Sequence, residues 1–211
     1  MTAHIATQSL KYFRGNNTQL GVERQFNLNG ENNVASWFSA SALLVCSELL
    51  FVIGVTRKRV GDRFAANWLG LSAGFLYLSV DEAASLHEMT IVPLRTALDL
   101  TGYLYFAWVI PGAIITLILA LTYLPFLYHL PVRIRRLAVV AGALYVGGAI
   151  GVEMLGSRYY SLYGTESFQY SLLVAVEEGL EMFGVVVFIY ALSLVIAALG
   201  IEVSFTTTTS V

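Results

Sequence analysis

Five long apolar runs constrain this chain more than any other feature. They span residues 34–56, 65–86, 103–128, 137–156 and 169–199. Each run reaches the length of about 20 residues that a helix needs to cross a membrane. Charged residues make up only 12% of the chain, where a soluble domain carries roughly a quarter. The sequence therefore predicts an all-α fold, an integral membrane bundle of five transmembrane helices over 34–199, with a polar N-terminal tail at 1–33 and a C-terminal tail at 200–211.

Basic residues are concentrated in two of the loops between these runs. The first cluster follows run one and the second precedes run four: Arg57, Lys58, Arg59 and Arg63, then Arg133, Arg135 and Arg136. Loops rich in Lys and Arg mark the cytoplasmic side of a membrane protein. We therefore expect a multi-pass protein of the plasma (inner) membrane, with its N-terminus outside and its C-terminus in the cytoplasm.

Overall charge and cysteine content exclude several classes of function. The formal net charge is -2, so the chain offers no basic surface for nucleic acid. Cys46 is the single cysteine and lies inside an apolar run. A disulfide framework and a cysteine-based zinc finger are both excluded.

The acidic residues are the anomaly of this sequence. No Lys or Arg lies inside a predicted span, whereas seven acids do, and Glu88 follows the second span: Glu48, Asp81, Glu82, Glu153, Glu177, Glu178 and Glu181. A carboxylate inside a membrane costs at least about 2.5 to 3.5 kcal/mol. Counting at about 1.5 Å per residue brings the acids of spans two, four and five to a similar level in the outer half of the membrane. Glu48 alone lies nearer the cytoplasmic half and is expected to be a protonated structural acid.

A shared cation site is the leading interpretation of this carboxylate cluster. The candidate metal ligands are Asp81, Glu82, His87, Glu88, Glu153, Glu177, Glu178 and Glu181. Carboxylate oxygens with one imidazole suit a divalent metal ion such as Zn, Mn or Fe, and without the imidazole they suit Mg. In an unbroken helix His87 would point about 120° away from Asp81. It joins the site only if the helix ends or bends near Leu86.

Three classes of function remain open for such a cluster. The first is a membrane metalloenzyme, a metal-dependent hydrolase or oxidoreductase acting on a lipid-like substrate, in which Arg158 binds an anionic headgroup. The second is a protein, or a transporter subunit, that translocates protons or cations, with Glu48 extending the cluster inward. The third is an accessory or assembly subunit whose acids make structural hydrogen bonds between helices. The expected partners are membrane lipids and either a second copy of the chain or a membrane complex.

Two local strings resemble known families. Asp81-Glu82 followed by His87-Glu88, with a later Glu-Glu helix, resembles a pattern of uncharacterised bacterial multipass membrane proteins. That resemblance implies a bacterial membrane setting and no activity. Glu177-Glu178 resembles the paired glutamates of the CAAX-protease family, but the arginine of that family falls here at Met182 and its later histidine motifs are absent.

Overall fold

The computed structural model describes residues 1–14, 22–30 and 32–200, and within them the chain is helical without any strand. The helices are α1 (Thr2–Arg14), α2 (Val22–Phe26), α3 (Val34–Arg59), α4 (Ala65–Ala84), α5 (Ile91–Leu98), α6 (Val109–His129), α7 (Val132–Val146), α8 (Glu153–Tyr163) and α9 (Phe168–Ala198). A π-helical segment, Gly147–Val152, joins α7 to α8 without a break. Short 3-10 turns lie at Glu88–Thr90 and Gly102–Leu104.

Four helical stretches are long and apolar enough to cross a membrane. They are Val34–Arg59, Val109–His129, Val132–Tyr163 and Phe168–Ala198. The all-α prediction is therefore confirmed, and several long apolar helices indicate a multipass membrane protein. The remaining predicted span, run two, corresponds to α4, whose 20 residues are long enough but whose mean hydropathy is lowered by polar residues that include Asp81 and Glu82 in its last turn.

Local sequence explains where α3 begins. Asn33 accepts hydrogen bonds through Oδ1 from the backbone N–H groups of Ala35 and Ser36, at 2.8 and 3.1 Å. The Ser36 hydroxyl in turn accepts from the Asn33 backbone N–H at 3.1 Å. This reciprocal capping satisfies N–H groups that have no partner inside the helix. The helix starts at Val34, as the apolar run predicts.

The prolines of this region affect helix boundaries differently. Pro111 lies in the first turn of α6, which begins at Val109, and its missing N–H breaks no hydrogen bond there. Pro125 lies inside α6, which continues past it to His129. Pro131 does mark a boundary, because it is the N-cap residue of α7.

The main core lies at the end of the bundle where the basic loops are, which we call the basic end. It is formed by α3, α4, α6 and α9 through Leu43, Cys46, Leu50, Ile53, Trp68, Phe126, Leu130, Val185, Leu192 and Val195. Close helix contacts hold these layers together. Gly184 of α9 lies so near α7 that an added Cβ would be 2.9 Å from the Ala141 carbonyl oxygen. Small residues at such crossings let helix backbones approach each other.

The N-terminal segment, expected as a polar tail, contributes α1 and α2, and α1 packs along the first part of α9. His4 is 1% exposed. One ring nitrogen lies 3.1 Å from the Ser171 carbonyl oxygen, and the other accepts from the Leu28 backbone N–H at 3.1 Å. Phe13 contacts Phe168 with ring centroids 5.2 Å apart. A single histidine thus joins α1, the loop before α3, and α9.

Candidate functional site

The end of α4 brings His87 back onto Asp81. The helix stops at Ala84, and Ser85 adopts a left-handed conformation with φ 50°. The reversal lets the His87 backbone N–H donate to Asp81 Oδ1 at 2.8 Å. The imidazole Nδ1 lies 2.8 Å from Asp81 Oδ2. The condition set by the sequence, a helix that ends before Leu86, is therefore met.

Asp81 fixes both the position and the tautomer of the imidazole. Asp81 is only 9% exposed, and each of its two carboxylate oxygens faces a nitrogen of His87. Since a carboxylate can only accept, Nδ1 carries a proton, and Nε2 is the ring nitrogen that can exchange one with a substrate. The His87 side chain keeps 29% of its surface exposed, so a molecule outside the helices can reach the ring.

Electrostatics favour a proton on His87. Burial lowers the pKa of the imidazole, but the hydrogen bond and negative charge of Asp81 outweigh it, with smaller contributions from Glu88 and Glu153. The net effect raises the pKa above its ordinary value. This histidine therefore gains and loses a proton at a higher pH than a free one.

Trp108 connects this pair to the next carboxyl group. Its ring lies beside the imidazole of His87, with centroids 4.7 Å apart and an interplanar angle of 55°. Its indole N–H donates to Glu153 Oε1 at 2.9 Å. Trp108 precedes α6, whereas His87 follows α4 and Glu153 begins α8. Three separate segments therefore meet at one indole ring.

Glu153 and Glu177 form a carboxyl pair. Their side chains lie within electrostatic range of each other across the contact of α8 with α9. Glu177 Oε2 also faces α8, because an added Cβ at Gly156 would lie 4.0 Å from it. Two carboxyl groups from different helices are therefore brought close together.

The π-helical segment makes this close approach possible. Gly148 lies inside it, and an added Cβ would be only 2.8 Å from the Glu177 carbonyl oxygen and 2.9 Å from Glu181 Cγ. π-helical turns are rare and occur frequently at functional sites. Here the turn sets the contact between α9 and the start of α8.

Deeper in the bundle, further acids surround a narrow pocket. Its lining comes from Phe38, Ser39, Ala42, Leu43, Glu82, Tyr145, Glu181, Met182 and Val185. Glu181 lies within electrostatic range of Glu178, Glu82 and Glu153. The Ser39 hydroxyl is buried here and has no hydrogen-bond partner among the residues the structure covers. The predicted acids of spans two, four and five are therefore gathered in one region, which we call the acidic end.

Three predicted residues lie at the margin of this region or outside it. Glu88 is exposed in the 3-10 turn after His87. Arg158 is exposed on α8 and lies over the ring of Tyr103 at 5.8 Å. Glu48 is exposed on α3, and its position two residues from the fully buried Cys46 and Leu50 places it on the opposite face of the helix. The expectation that Glu48 extends the cluster inward is wrong for this fold.

The metal hypothesis receives no support from this geometry. Within residues 1–14, 22–30 and 32–200, no group of three or more His, Cys, Asp or Glu side chains is arranged to hold a metal ion. Two of the acids instead accept hydrogen bonds from neighbouring donors: Asp81 from His87, and Glu153 from Trp108.

Sequence reasoning missed two residues that shape the site. Trp108 was not among the predicted site residues, and its hydrogen bond to Glu153 spans 45 positions. Ser157 was not singled out, yet it is completely buried and ties the segment before α6 to α8. Its hydroxyl accepts from the Phe106 backbone N–H at 2.9 Å and donates to the Gly102 carbonyl at 3.1 Å. No local pattern in the sequence marks either contact.

Comparisons with known proteins place the chain in a family without assigning it a role. Neither the curated proteins nor the solved structures contain a match to it. A family model described as "Domain of unknown function (DUF8692)" matches residues 1–196. That range includes α1 and every residue of the acidic end. The chain therefore belongs to the DUF8692 family.

Proposed function

We propose that α4 crosses the membrane together with the four longer stretches, which makes five spans, with the basic end in the cytoplasm and the N-terminus outside. At about 1.5 Å per residue, a helix of about 20 residues covers the hydrocarbon core of roughly 30 Å. The length of α4, 20 residues, matches this thickness. The basic loops before α4 and before α7 then both face the cytoplasm, as the distribution of Lys and Arg requires.

This arrangement puts the acidic end at the outer boundary of the membrane. Counting about 20 residues from Ala198 towards the start of α9 reaches Gly179, next to the Glu177 pair. The same count from Ala65 reaches the end of α4, three residues beyond Asp81. The first third of α9, all of α8 and α1 then project beyond the hydrocarbon core. The site is therefore reached from the outer face.

The function that this geometry supports best is acid–base catalysis. The observation that carries it is the Asp81–His87 pair, with both nitrogen–oxygen distances at 2.8 Å. In such a pair the carboxylate orients the imidazole, and Nε2 takes a proton from a nucleophile or gives one to a leaving group. Trp108 joins this pair to Glu153, since its ring lies beside His87 and its indole N–H donates to Glu153 Oε1 at 2.9 Å.

Position and surroundings point to an amphiphilic, lipid-like substrate. A site at the outer boundary faces both the headgroup region and the ends of the acyl chains. Arg158 and the ring of Tyr103 lie on the same side of the protein. A guanidinium beside an aromatic ring there suits an anionic headgroup. A hydrolase acting on such lipids is the reaction class we propose.

The apolar core argues against a proton or cation path across the membrane. Below the acidic end, the inward-facing residues of α3, α4 and α9 are those of the main core, such as Leu50, Trp68 and Leu192. Glu48 lies on the opposite face of α3. A relay of protonatable groups would need such residues on the inside. The site therefore opens to one side only.

Activity on lipid probes tests the proposal. The purified protein in mixed micelles is presented with fluorogenic long-chain esters and phosphodiesters, and His87→Gln is compared with His129→Gln. Both variants remove an imidazole, but His129 packs on Phe64 at the basic end, with ring centroids 4.7 Å apart. We expect His87→Gln to lower kcat/KM by about 100-fold or more and His129→Gln to leave it within about twofold.

The same assay separates this proposal from its competitors. Equal activity in the two histidine variants would contradict acid–base catalysis at His87. Activity that is lost on chelation and restored by one divalent metal, with stoichiometric metal lost in Asp81→Ala, would favour the metalloenzyme instead. Full activity and stability in Asp81→Asn together with Glu153→Gln would indicate that the acids are structural.

A further inference from the structure

An open pocket lies at the opposite, basic end, between α7 and α9. Its volume is about 530 Å³, within the range of roughly 300–1,000 Å³ that ligand pockets occupy. The lining residues are Val132, Arg133, Arg136 and Leu137 of α7 and Tyr190 of α9. Arg133 Nη2 donates to the Tyr190 hydroxyl at 2.8 Å. This hydrogen bond holds one guanidinium across the pocket.

Two arginines, Arg133 and Arg136, face this pocket. Arg133 and Arg136 are three residues apart, so they lie on one face of α7. Among the residues that the structure covers, neither guanidinium has a carboxylate within 4.0 Å, since the ion pairs join Lys11 to Glu23, Arg57 to Asp62 and His87 to Asp81. Both side chains are exposed. The pocket is therefore a concentrated positive site.

Arg135, between them, is engaged elsewhere. It donates to the Tyr128 carbonyl at 3.4 Å and lies over the Tyr128 ring at 5.6 Å. That contact joins α7 to the end of α6. Of the three arginines at the start of α7, Arg135 therefore ties two helices together, whereas Arg133 and Arg136 line the open pocket.

The remaining lining suits the rest of a lipid. Val132 and Leu137 are apolar, and Tyr190 presents a ring with a hydroxyl at its tip. Tyr190 is eight residues before Ala198, the end of α9, which is about 12 Å along the helix. With Ala198 as the inner boundary, Tyr190 lies on the acyl-chain side, whereas Val132 and Arg133 begin α7 directly after the basic loop. The pocket therefore spans the level at which a phospholipid changes from phosphate to acyl chain.

We propose that this pocket binds the headgroup phosphate of an anionic phospholipid of the cytoplasmic leaflet. Arginine pairs phosphate oxygens through parallel N–H donors, and basic pockets between membrane helices on this side bind anionic headgroups. Arg133 and Arg136 contact the phosphate, the Tyr190 hydroxyl orients Arg133, and Val132 and Leu137 pack against the first acyl carbons. The site does not depend on the chemistry at the acidic end.

Lipid binding to the delipidated protein tests this site. Dissociation constants for dioleoyl phosphatidylglycerol and dioleoyl phosphatidylcholine are measured by native mass spectrometry. The double variant Arg133→Gln/Arg136→Gln is compared with Lys58→Gln/Arg135→Gln, which removes the same charge from the same end. We expect phosphatidylglycerol to bind the wild type and the control pair about tenfold more tightly than phosphatidylcholine. The pocket variant should lose this preference.

Three outcomes would overturn the proposal. Binding of phosphatidylglycerol to the pocket variant as tightly as to the control pair would place the anion elsewhere. Equal binding of the two lipids by the wild type would show that apolar packing, and not the headgroup charge, holds the lipid. Displacement of phosphatidylglycerol by millimolar inorganic phosphate would show a site for the free anion, since a lipid also held by Val132 and Leu137 resists such competition.

Discussion

At the scale of single residues, the Asp81–His87 pair links protonation to stability. In an unfolded chain the pKa of a histidine is about 6.5. In the folded protein Asp81 raises the pKa of His87 above this value. The folded protein therefore binds this proton more tightly than the unfolded chain does. The resulting stability is fully present below about pH 6.5 and is lost as the pH rises through the folded pKa.

Asp81→Asn should remove this dependence. We expect its thermal unfolding midpoint to fall furthest below that of the wild type at acidic pH, and the two midpoints to converge as the pH rises above the His87 pKa. Unfolding of both proteins in detergent over a pH series measures the difference. Asp62→Asn, which removes a carboxylate paired with Arg57 at 3.5 Å, is the control. A gap between wild type and Asp81→Asn that stays constant with pH would contradict the assignment.

At the scale of elements, the fit of the π-helical segment against α9 depends on Gly148. An added Cβ there would meet backbone, 2.8 Å from the Glu177 carbonyl oxygen, and backbone yields less readily than a flexible side chain. We expect Gly148→Ala to lower the free energy of unfolding by about 1–3 kcal/mol. Gly151→Ala is the control, since nothing lies within 4 Å of its added Cβ. Equal thermal stability of the two variants would show that the close contact does not hold the helices together.

The docking of α1 depends on His4 in its neutral form. Burial lowers the pKa of His4, and Nδ1 already accepts the Leu28 N–H. The stability it contributes is present above about pH 6.5 and is lost as the pH falls through the folded pKa.

We therefore expect His4→Ala to release α1 from α9. It leaves the Leu28 N–H and the Ser171 carbonyl without their partner, at a cost of about 1–3 kcal/mol for each buried group. Hydrogen exchange over residues 2–14 measures the release, and acidification of the wild type should produce the same change. Ser9→Ala is the control, because the Ser9 hydroxyl bonds only to Ile5 of its own helix. If the amides of α1 are protected from hydrogen exchange equally well in His4→Ala and in the wild type, His4 does not hold α1 against α9.

How far sequence predicts these elements depends on the range of the interaction. Val34 as the start of α3 and the return of His87 to Asp81 both follow from contacts within six residues. The position and length of each apolar run likewise indicate where the long helices lie. The His4 contact with Ser171 spans 167 positions, and the π-helical segment requires the backbone of α9 beside it. Neither leaves a periodic signal in the chain.

Orientation of side chains around a helix was harder to predict than helix position. The apolar residues on all sides of α3 hide which face is covered, so Glu48 gave no sign that it lies opposite Cys46. The acids of α4, α8 and α9 were easier to place together, because counting along the helices brings them to a similar level in the membrane.

At the scale of the whole molecule, the two ends have separate chemistry. The two clusters of arginine and lysine and the apolar main core lie at the basic end, whereas His87 and the clustered carboxyl groups lie at the acidic end. We propose that such a molecule works on one face of a membrane, through an acid–base site open to the outer side.

Trp108 reports on this claim directly, because a protonated imidazole quenches a nearby indole and the ring of His87 lies 4.7 Å away. In proteoliposomes of known orientation, with Trp37 and Trp68 replaced by phenylalanine, the fluorescence of Trp108 is measured while the inner and outer pH are changed separately. We predict that the fluorescence follows the outer pH alone and that the response disappears in His87→Gln. A response to the inner pH, or one that persists without His87, would contradict an acid–base site that opens to the outside.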